Sequence, residues 1–161
     1  MIGNDIVDLA LARKESNWIR KGFLDKIFTK KEQVVIKAAV NPEIMVWNLW
    51  SRKEAAYKIY NRQTGIRGYI PLKLECVFDL DNSGIVMCNN VRYYTQTKIT
   101  NEYVYTIAVA KREYFKLLTP IKPCEEIIKK NGIPSRLEEQ TKMSRPVSIS
   151  QHGRFTKCIT I

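Results

Sequence analysis

An acidic and a basic side chain stand four positions apart in the most strongly helical part of the sequence. At about 100° per residue, Glu54 and Lys58 share one helix face with Trp47 and Ser51, within about 60°. An exposed Glu–Lys pair at this spacing contributes only about 0.3–0.5 kcal/mol and is common on helices. Small and aromatic residues surround this pair in the sequence, which favours an enclosed site. Spacing alone leaves both interpretations open.

A second carboxylate, Asp5, stands near the end of a short β-branched run, Ile2 to Val7, which predicts an opening strand. Taken alone, an acid at the end of a strand is commonly a cap or a turn residue. Together, Asp5 and Glu54 would supply two hard oxygen ligands. Mg²⁺ takes one or two protein carboxylates and leaves its other positions to water and substrate phosphates. The pair therefore indicates a candidate metal site that handles phosphates.

Cap signals predict the elements that position these residues. Asn41 followed by Pro42 opens the longest helix, which we expect to run to about Asn61 and to be closed by Gly65. Thr29 and Glu32 form a capping box for a shorter helix. Alternating segments between Gly68 and Ala110 predict antiparallel strands. The fold class is therefore α+β, an antiparallel sheet packed against a long central helix and shorter helices.

The segment 111–145 has a different character. Acids precede bases between Pro123 and Gly132, and Ser135 and Glu138 have capping-box spacing, so we predict a helical insertion here. Two final strands are expected around a turn at 151–153. The insertion gives no reason to divide the chain, so one domain spanning 1–161 is predicted.

Composition restricts the class of protein. The chain has 161 residues, of which 45% are hydrophobic, and this is too apolar for a disordered protein. No run approaches the length of about 18 apolar residues that a membrane span needs. We expect no secretory signal, because Asp5 and Asp8 interrupt the N-terminal segment, and we therefore expect a cytoplasmic protein. The four cysteines and one histidine lack zinc-site spacing.

The formal charge of +11 predicts a polyanionic partner. One candidate is a nucleic acid, because strand tyrosines near basic residues could stack on bases. The same tyrosines are also ordinary sheet residues. The residues concerned are Tyr93, Tyr94, Tyr103, Tyr105, Arg92 and Lys98.

Ordered motifs favour a different partner. Gly3-Asn4-Asp5 matches a strand-end G-x-D, and the segment from Trp50 to Lys58 matches W-x-x-K-E-A-x-x-K at all five fixed positions. Weaker matches follow at 23–32, 64–66 and 148–155. In these motifs the sequence resembles the 4′-phosphopantetheinyl transferase superfamily, in its short, acyl-carrier-protein-synthase type. The resemblance covers roughly residues 1–80 and 146–161.

The resemblance implies transfer of 4′-phosphopantetheine from coenzyme A to a serine of an apo acyl or peptidyl carrier protein, with release of 3′,5′-ADP. It implies that Asp5 and Glu54 hold Mg²⁺ and that Glu54 and Lys58 are catalytic. Residues expected to contact coenzyme A are Lys58, Gly65, Ser150 and Arg154. The acidic carrier would dock on the basic cluster Arg13, Lys14, Arg20 and Lys21. The resemblance also implies that the protein is a homotrimer or a monomer.

The sequence departs from the family pattern in two places. Gln151 stands where the family has histidine, and His152 is displaced by one position, which on a strand points the side chain elsewhere. This departure keeps a third alternative open, a relative that binds coenzyme A without catalysis. Residues 111–145 have no clear counterpart in the family.

Overall fold

The computed structural model describes residues 1–68, 70–78, 82–122, 127–130, 132–137 and 144–161. The helices are α1 (Leu9–Glu15), α2 (Phe23–Ile27), α3 (Lys30–Ala38) and α4 (Pro42–Thr64). The strands are β1 (Ile2–Asp8), β2 (Glu75–Phe78), β3 (Ser83–Cys88), β4 (Val91–Ile99), β5 (Tyr103–Val109), β6 (Thr119–Ile121), β7 (Ile127–Lys130), β8 (Ile133–Leu137), β9 (Ser144–His152) and β10 (Phe155–Thr160). Short 3₁₀ turns cover Pro71–Lys73 and Arg112–Leu117.

The strands form two antiparallel sheets. The first has the order β1-β5-β4-β3-β2, and the second has the order β6-β10-β9-β8-β7. Helix α4 packs on the first sheet and buries the main hydrophobic core between them. This core includes Val46, Leu49, Ala55, Ala56, Ile59, Val86, Tyr93, Val104 and Ala108. The predicted α+β architecture around a long central helix is confirmed.

Helix α4 begins and ends at the predicted signals. The Asn41 side chain accepts a hydrogen bond from the backbone N of Ile44 at 3.1 Å, and Pro42 occupies the first turn. Gly65 adopts a left-handed φ of 69° and caps the other end, so the helix reaches Thr64 instead of Asn61. The capping box of Thr29 and Glu32 also forms as predicted.

A glycine on β1 lets the strand lie directly against α4. A Cβ atom at Gly3 would collide with the backbone carbonyl oxygen of Ala55. Only glycine permits this approach of two backbones. The contact places Asp5, two residues further along β1, beside the turn of α4 that carries Glu54.

Side chains of the second sheet form hydrogen bonds with the backbone N–H groups at the free edge of β1. Three alternate side chains in the second half of β9 accept hydrogen bonds from backbone N atoms of β1, in phase with the two-residue repeat of both strands. The three bonds join Asn4 N to Ser148 Oγ (2.9 Å), Ile6 N to Ser150 Oγ (3.0 Å) and Asp8 N to His152 Nδ1 (2.9 Å). Edge amides that would otherwise need water are thereby paired, and the two sheets are held in one register.

A buried ion pair ties α3 to α4. Lys53 Nζ lies 2.8 Å from Glu32 Oε2, and the two side chains are 2% and 1% exposed. Lys53 also donates to the backbone carbonyls of Pro71 and Leu74, and Glu32 Oε1 accepts from Cys76 N. The motif lysine Lys53 is therefore a structural residue, whereas its neighbour Glu54 faces the candidate site.

The segment 111–145 differs from the helical prediction. Its described residues form the 3₁₀ turn Arg112–Leu117 and the strands β6, β7 and β8. The predicted helix of 123–132 is corrected to a β7–β8 hairpin in residues 127–130 and 132–137, because β8 pairs with β9 and so extends the second sheet. The predicted cap residue Glu138 lies outside the described residues.

We expect Lys53→Met to lower the free energy of unfolding by about 3–5 kcal/mol, because it leaves the buried Glu32 carboxylate without its cation. Lys31→Met is the matched control: Lys31 pairs with Glu75 at 3.0 Å but is 83% exposed. The control should cost at most about 1 kcal/mol. Urea unfolding measures both, and equally small losses would contradict the structural role of Lys53.

Candidate functional site

Asp5 is partly buried between α4 and the second sheet. Its Oδ1 accepts a hydrogen bond from Ser150 Oγ at 3.1 Å and lies 3.9 Å from Lys58 Nζ. Its other oxygen, Oδ2, is buried and has no hydrogen-bond partner within the described part of the chain. Burial raises the pKa of Asp5, while Lys58 and Ser150 act in the opposite direction. The carboxylate thus keeps one oxygen available for a ligand.

Glu54 lies close enough to Asp5 for the two charges to interact. The pKa of Glu54 is raised from 4.5 to about 7, chiefly by burial and also by the charge of Asp5, while Lys58 acts in the opposite direction. Two partly buried carboxylates that repel one another favour binding either a proton or a cation. The structure therefore brings together the two residues that the sequence predicted as metal ligands.

The two carboxylates open into one cavity of about 470 Å³ between α1, α4 and the end of β9. Trp47 and Trp50 form part of its apolar wall, and the buried Nε1 of Trp47 has no hydrogen-bond partner among the described residues. The cavity is lined by Asp5, Ile6, Val7, Ala12, Ser16, Phe23, Trp47, Trp50, Glu54, Gln151 and His152. Apolar walls around a few convergent polar groups are typical of a ligand site.

Lys58 is held beside Asp5 by two backbone carbonyls. Its ammonium donates to Asn4 O at 2.6 Å and to Ile149 O at 3.1 Å, so it bridges β1 and β9. Burial lowers the pKa of Lys58, and the charges of Asp5 and Glu54 raise it. An ammonium has three donors, so one N–H remains to reach an anion after these two bonds.

The other predicted coenzyme A contacts occupy different positions. Ser150 lies at the site, where its hydroxyl on β9 accepts from Ile6 N and donates to Asp5 Oδ1 on β1. Gly65 is exposed at the far end of α4, seven positions after Lys58. Arg154 binds Asp8, with Nε 2.9 Å from Oδ2, and also lies 3.2 Å from Glu102. These bonds hold the pKa of Asp8 well below its ordinary value. Arg154 is not among the residues that line the cavity.

Gln151 and His152 both lie at the cavity. The shift by one position was expected to point the histidine away, but both side chains line the cavity. His152 Nδ1 accepts from Asp8 N, which leaves Nε2 on the side of Glu15, 3.9 Å from its Oε2. The signal was the alternation of Ser148, Ser150 and His152, which share one strand face and one partner strand.

The strand tyrosines do not form an open stacking surface. Tyr93 is buried in the core, and its hydroxyl donates to Gln63 Oε1. Tyr103 packs edge-on against Phe155, and Arg112 covers the ring of Tyr94. These contacts match the interpretation of the tyrosines as ordinary sheet residues.

Comparisons with known proteins identify the family of this fold. The family model of the 4′-phosphopantetheinyl transferase superfamily matches residues 1–113. The chain therefore belongs to this superfamily, which is a family of transferases. No curated protein matches the chain significantly.

Solved structures with the same fold are holo-[acyl-carrier-protein] synthases. The Helicobacter pylori enzyme, in complex with coenzyme A, is 19% identical with a TM-score of 0.54, over 68% of this chain and 98% of that one. The Bacillus anthracis enzyme, in complex with CoA (3′,5′-ADP), is 21% identical with a TM-score of 0.52, over 66% and 91%. The Thermotoga maritima enzyme is 14% identical with a TM-score of 0.52, over 78% of both chains. At these identities the likeness shows the fold.

Two features are absent from the described residues. None of their helices has the length and apolar character required to traverse a bilayer. They also contain no cluster of three or more His, Cys, Asp or Glu side chains placed to bind a metal.

The raised pKa of Glu54 predicts a pH-dependent stability. Since the folded chain binds this proton more tightly than the unfolded chain, stability without divalent cations should fall as pH rises from 4.5 through about 7. Glu54→Gln removes this loss, and should be more stable than the natural chain at pH 8 by on the order of 1–3 kcal/mol but not at pH 4.5.

Chemical unfolding in EDTA at both pH values measures this difference. Glu75→Gln, a change on β2 outside the cavity, is the control and should not stabilise the chain at pH 8. Added Mg²⁺ should stabilise the natural chain at pH 8 and have little effect on Glu54→Gln. An identical Mg²⁺ response in both chains would contradict the assignment of Glu54 as a ligand.

Proposed function

We propose that the chain transfers 4′-phosphopantetheine from coenzyme A to a serine of an apo acyl carrier protein and releases 3′,5′-ADP. The observation that carries the proposal is the meeting of Asp5 and Glu54 at one cavity, with Lys58 Nζ 3.9 Å from Asp5, in a member of this transferase superfamily. Structural neighbours described in complex with coenzyme A support the choice of donor.

The residues fit a divalent cation. Asp5 offers a buried oxygen with no hydrogen-bond partner in the described chain, and Glu54 offers a second carboxylate whose charge is unfavourable without a cation. Asp5 and Glu54 would hold Mg²⁺, with water and phosphate oxygens at its remaining positions. When bound, Mg²⁺ supplies charge neutralisation at the pyrophosphate of coenzyme A.

The side chains of the site have separate roles in the transfer reaction. The serine oxygen attacks the phosphorus that carries pantetheine, a new P–O bond forms, and the bond to the leaving 3′,5′-ADP breaks. Glu54, directly or through a water that it orients, takes the serine proton. Lys58 is fixed by two carbonyls, and its remaining N–H opposes the negative charge that develops on the phosphate. Most of the rate acceleration then comes from positioning and charge.

The carrier would approach from the side of α1. Ala12 and Ser16 line the cavity on that side, and exposed Arg13 and Lys14 lie in the last turn of the same helix. Arg13 already pairs with Glu43 at 3.0 Å, with 53% of its side chain exposed. An acidic carrier would be attracted to these cations, and such rim charges act mainly on the association rate.

We expect Asp5→Asn and Glu54→Gln each to lower holo-carrier formation by about 100-fold or more, because each removes a ligand charge at the reacting phosphate. The assay is mass spectrometry of an apo acyl carrier protein incubated with coenzyme A, Mg²⁺ and the chain. Glu75→Gln serves as the control and should keep normal turnover. Near-normal turnover in either site variant, with its fold intact by circular dichroism, would refute the metal assignment.

The same assay separates catalysis from simple binding of coenzyme A. Lys58→Gln should lower turnover by about tenfold or more, since it removes the charge that faces the phosphate. Gln151→His should keep or raise activity, because it restores a cation-forming side chain at a position that lines the cavity. Coenzyme A binding without any pantetheine adduct in the natural chain would instead identify a non-catalytic relative.

A further inference from the structure

A group of charged residues ties the start of α1 to the turn between β9 and β10. Asp8 is the N-cap of α1, and its Oδ1 accepts hydrogen bonds from the backbone N atoms of Ala10 at 3.0 Å and Leu11 at 3.4 Å. The same carboxylate, which is 2% exposed, also binds Arg154 of the turn. Neither Asp8 nor Arg154 is among the residues that line the cavity of the candidate site. The cap of this helix is therefore also the anchor of a segment far away in the sequence.

Three donors of Arg154 converge on the Asp8 carboxylate. Its backbone N and its Nε donate to Oδ2 at 3.1 Å and 2.9 Å, and Nη2 donates to Oδ1 at 3.0 Å. Its remaining Nη1 lies 3.2 Å from Glu102 Oε1, and the backbone carbonyl of Glu102 accepts from Leu9 N at 2.9 Å. Two-pronged bonds between a guanidinium and a carboxylate are among the stronger hydrogen bonds in proteins. Arg154 thus connects the two residues that hold the first turn of α1.

The turn is shaped to fit this carboxylate. Gly153 has a left-handed φ of 51°, and a Cβ atom on it would lie 2.5 Å from Asp8 Oδ2. Only glycine allows the turn to approach so closely. On the preceding residue, His152 Nδ1 accepts from the backbone N of Asp8. Three consecutive residues of the turn therefore contact Asp8, which distinguishes this contact from an ordinary surface ion pair.

Helix α1 depends on these contacts for its orientation. It has only seven residues, which is too short for an isolated helix to be stable, and only Leu9 and Ala12 of them are buried. Its last turn carries Arg13 and Lys14, and Ala12 and the following Ser16 line the cavity. The face that we expect the carrier to meet is therefore fixed mainly at the start of the helix.

Different contacts hold the groups proposed to act on coenzyme A. Asp5 and Glu54 are brought together by the contact of Gly3 with the backbone of α4. Lys58 is fixed by carbonyls of β1 and β9. These contacts involve neither α1 nor Arg154. A change in the orientation of α1 should therefore affect the acceptor and leave the donor in place.

We propose that Arg154 is a positioning residue for the carrier: by binding Asp8, it holds α1 in the orientation that the acidic carrier recognises. This inference deepens the proposed function and rests on it. It differs from the contact with coenzyme A that the resemblance implies for Arg154, and the two roles give opposite results in the test below.

The test measures the donor and the acceptor separately. Arg154→Gln should raise the KM for an apo acyl carrier protein by about fivefold or more and leave kcat within about threefold, because it removes a contribution to binding and none to the chemical step. Isothermal titration calorimetry with Mg²⁺ should give an affinity for coenzyme A within about twofold of that of the natural chain. A general loss of folding would weaken both substrates together. Fluorescence anisotropy of a labelled apo carrier measures acceptor binding without turnover.

A second variant removes the same contact from its other side. Asp8→Asn keeps an N-cap of equal quality and loses the charge that binds Arg154, so it should raise the KM for the carrier in the same way. The double variant should be no worse than either single variant, since both remove one interaction. Arg112→Gln is the matched control, because Arg112 lies over the ring of Tyr94, away from α1, and it should leave both substrates unaffected.

The outcomes separate this inference from the proposed function. If the natural chain modifies the carrier but Arg154→Gln and Asp8→Asn keep its KM, or if Arg154→Gln weakens coenzyme A instead, the positioning role is refuted while transferase activity stands. If both variants weaken binding of the carrier and the natural chain transfers nothing to it, the positioning role is supported and the proposed reaction fails. If the natural chain neither binds nor modifies a carrier, both proposals fail.

Discussion

The contact between the backbones of β1 and α4 is the constraint on which the rest of this structure depends. Gly3 lies so near the carbonyl of Ala55 that no side chain fits between them. This approach forces two carboxylates, Asp5 and Glu54, into one partly buried region, where burial and mutual repulsion raise the pKa of Glu54 to about 7. Such an arrangement costs folding free energy in the absence of a cation, and the core around α4 and the buried Lys53–Glu32 pair keep the helix in place despite that cost.

The second sheet completes the site. Its strand β9 satisfies the exposed edge of β1 through alternate side chains, and two of them, Ser150 and His152, also face the candidate metal site. Lys58 then bridges the carbonyls of both strands. Because the same hydrogen bonds fix the register of the sheets and the direction of the charged groups, the packing of the sheets and the geometry of the site cannot vary independently.

The residues that match the family model and the residues that follow them contribute different elements of the structure. Residues 1–113 carry the superfamily match and both carboxylates. All five strands of the second sheet lie beyond that match, and the sheet supplies β9 at the site.

Local signals in the sequence were sufficient to predict several elements of the fold. Caps at Asn41 and Gly65 delimit α4, the capping box at Thr29 starts α3, and helical spacing places Glu54 and Lys58 on one face. Helical signals after residue 111 were misleading, because pairing of β8 with β9 outweighs a weak local preference. Whether Asp5 and Glu54 meet, and which face His152 presents, depends on contacts between residues far apart in the chain. Only the tertiary structure decides such contacts, since local propensity carries no information about which strand edge a distant serine or histidine will satisfy.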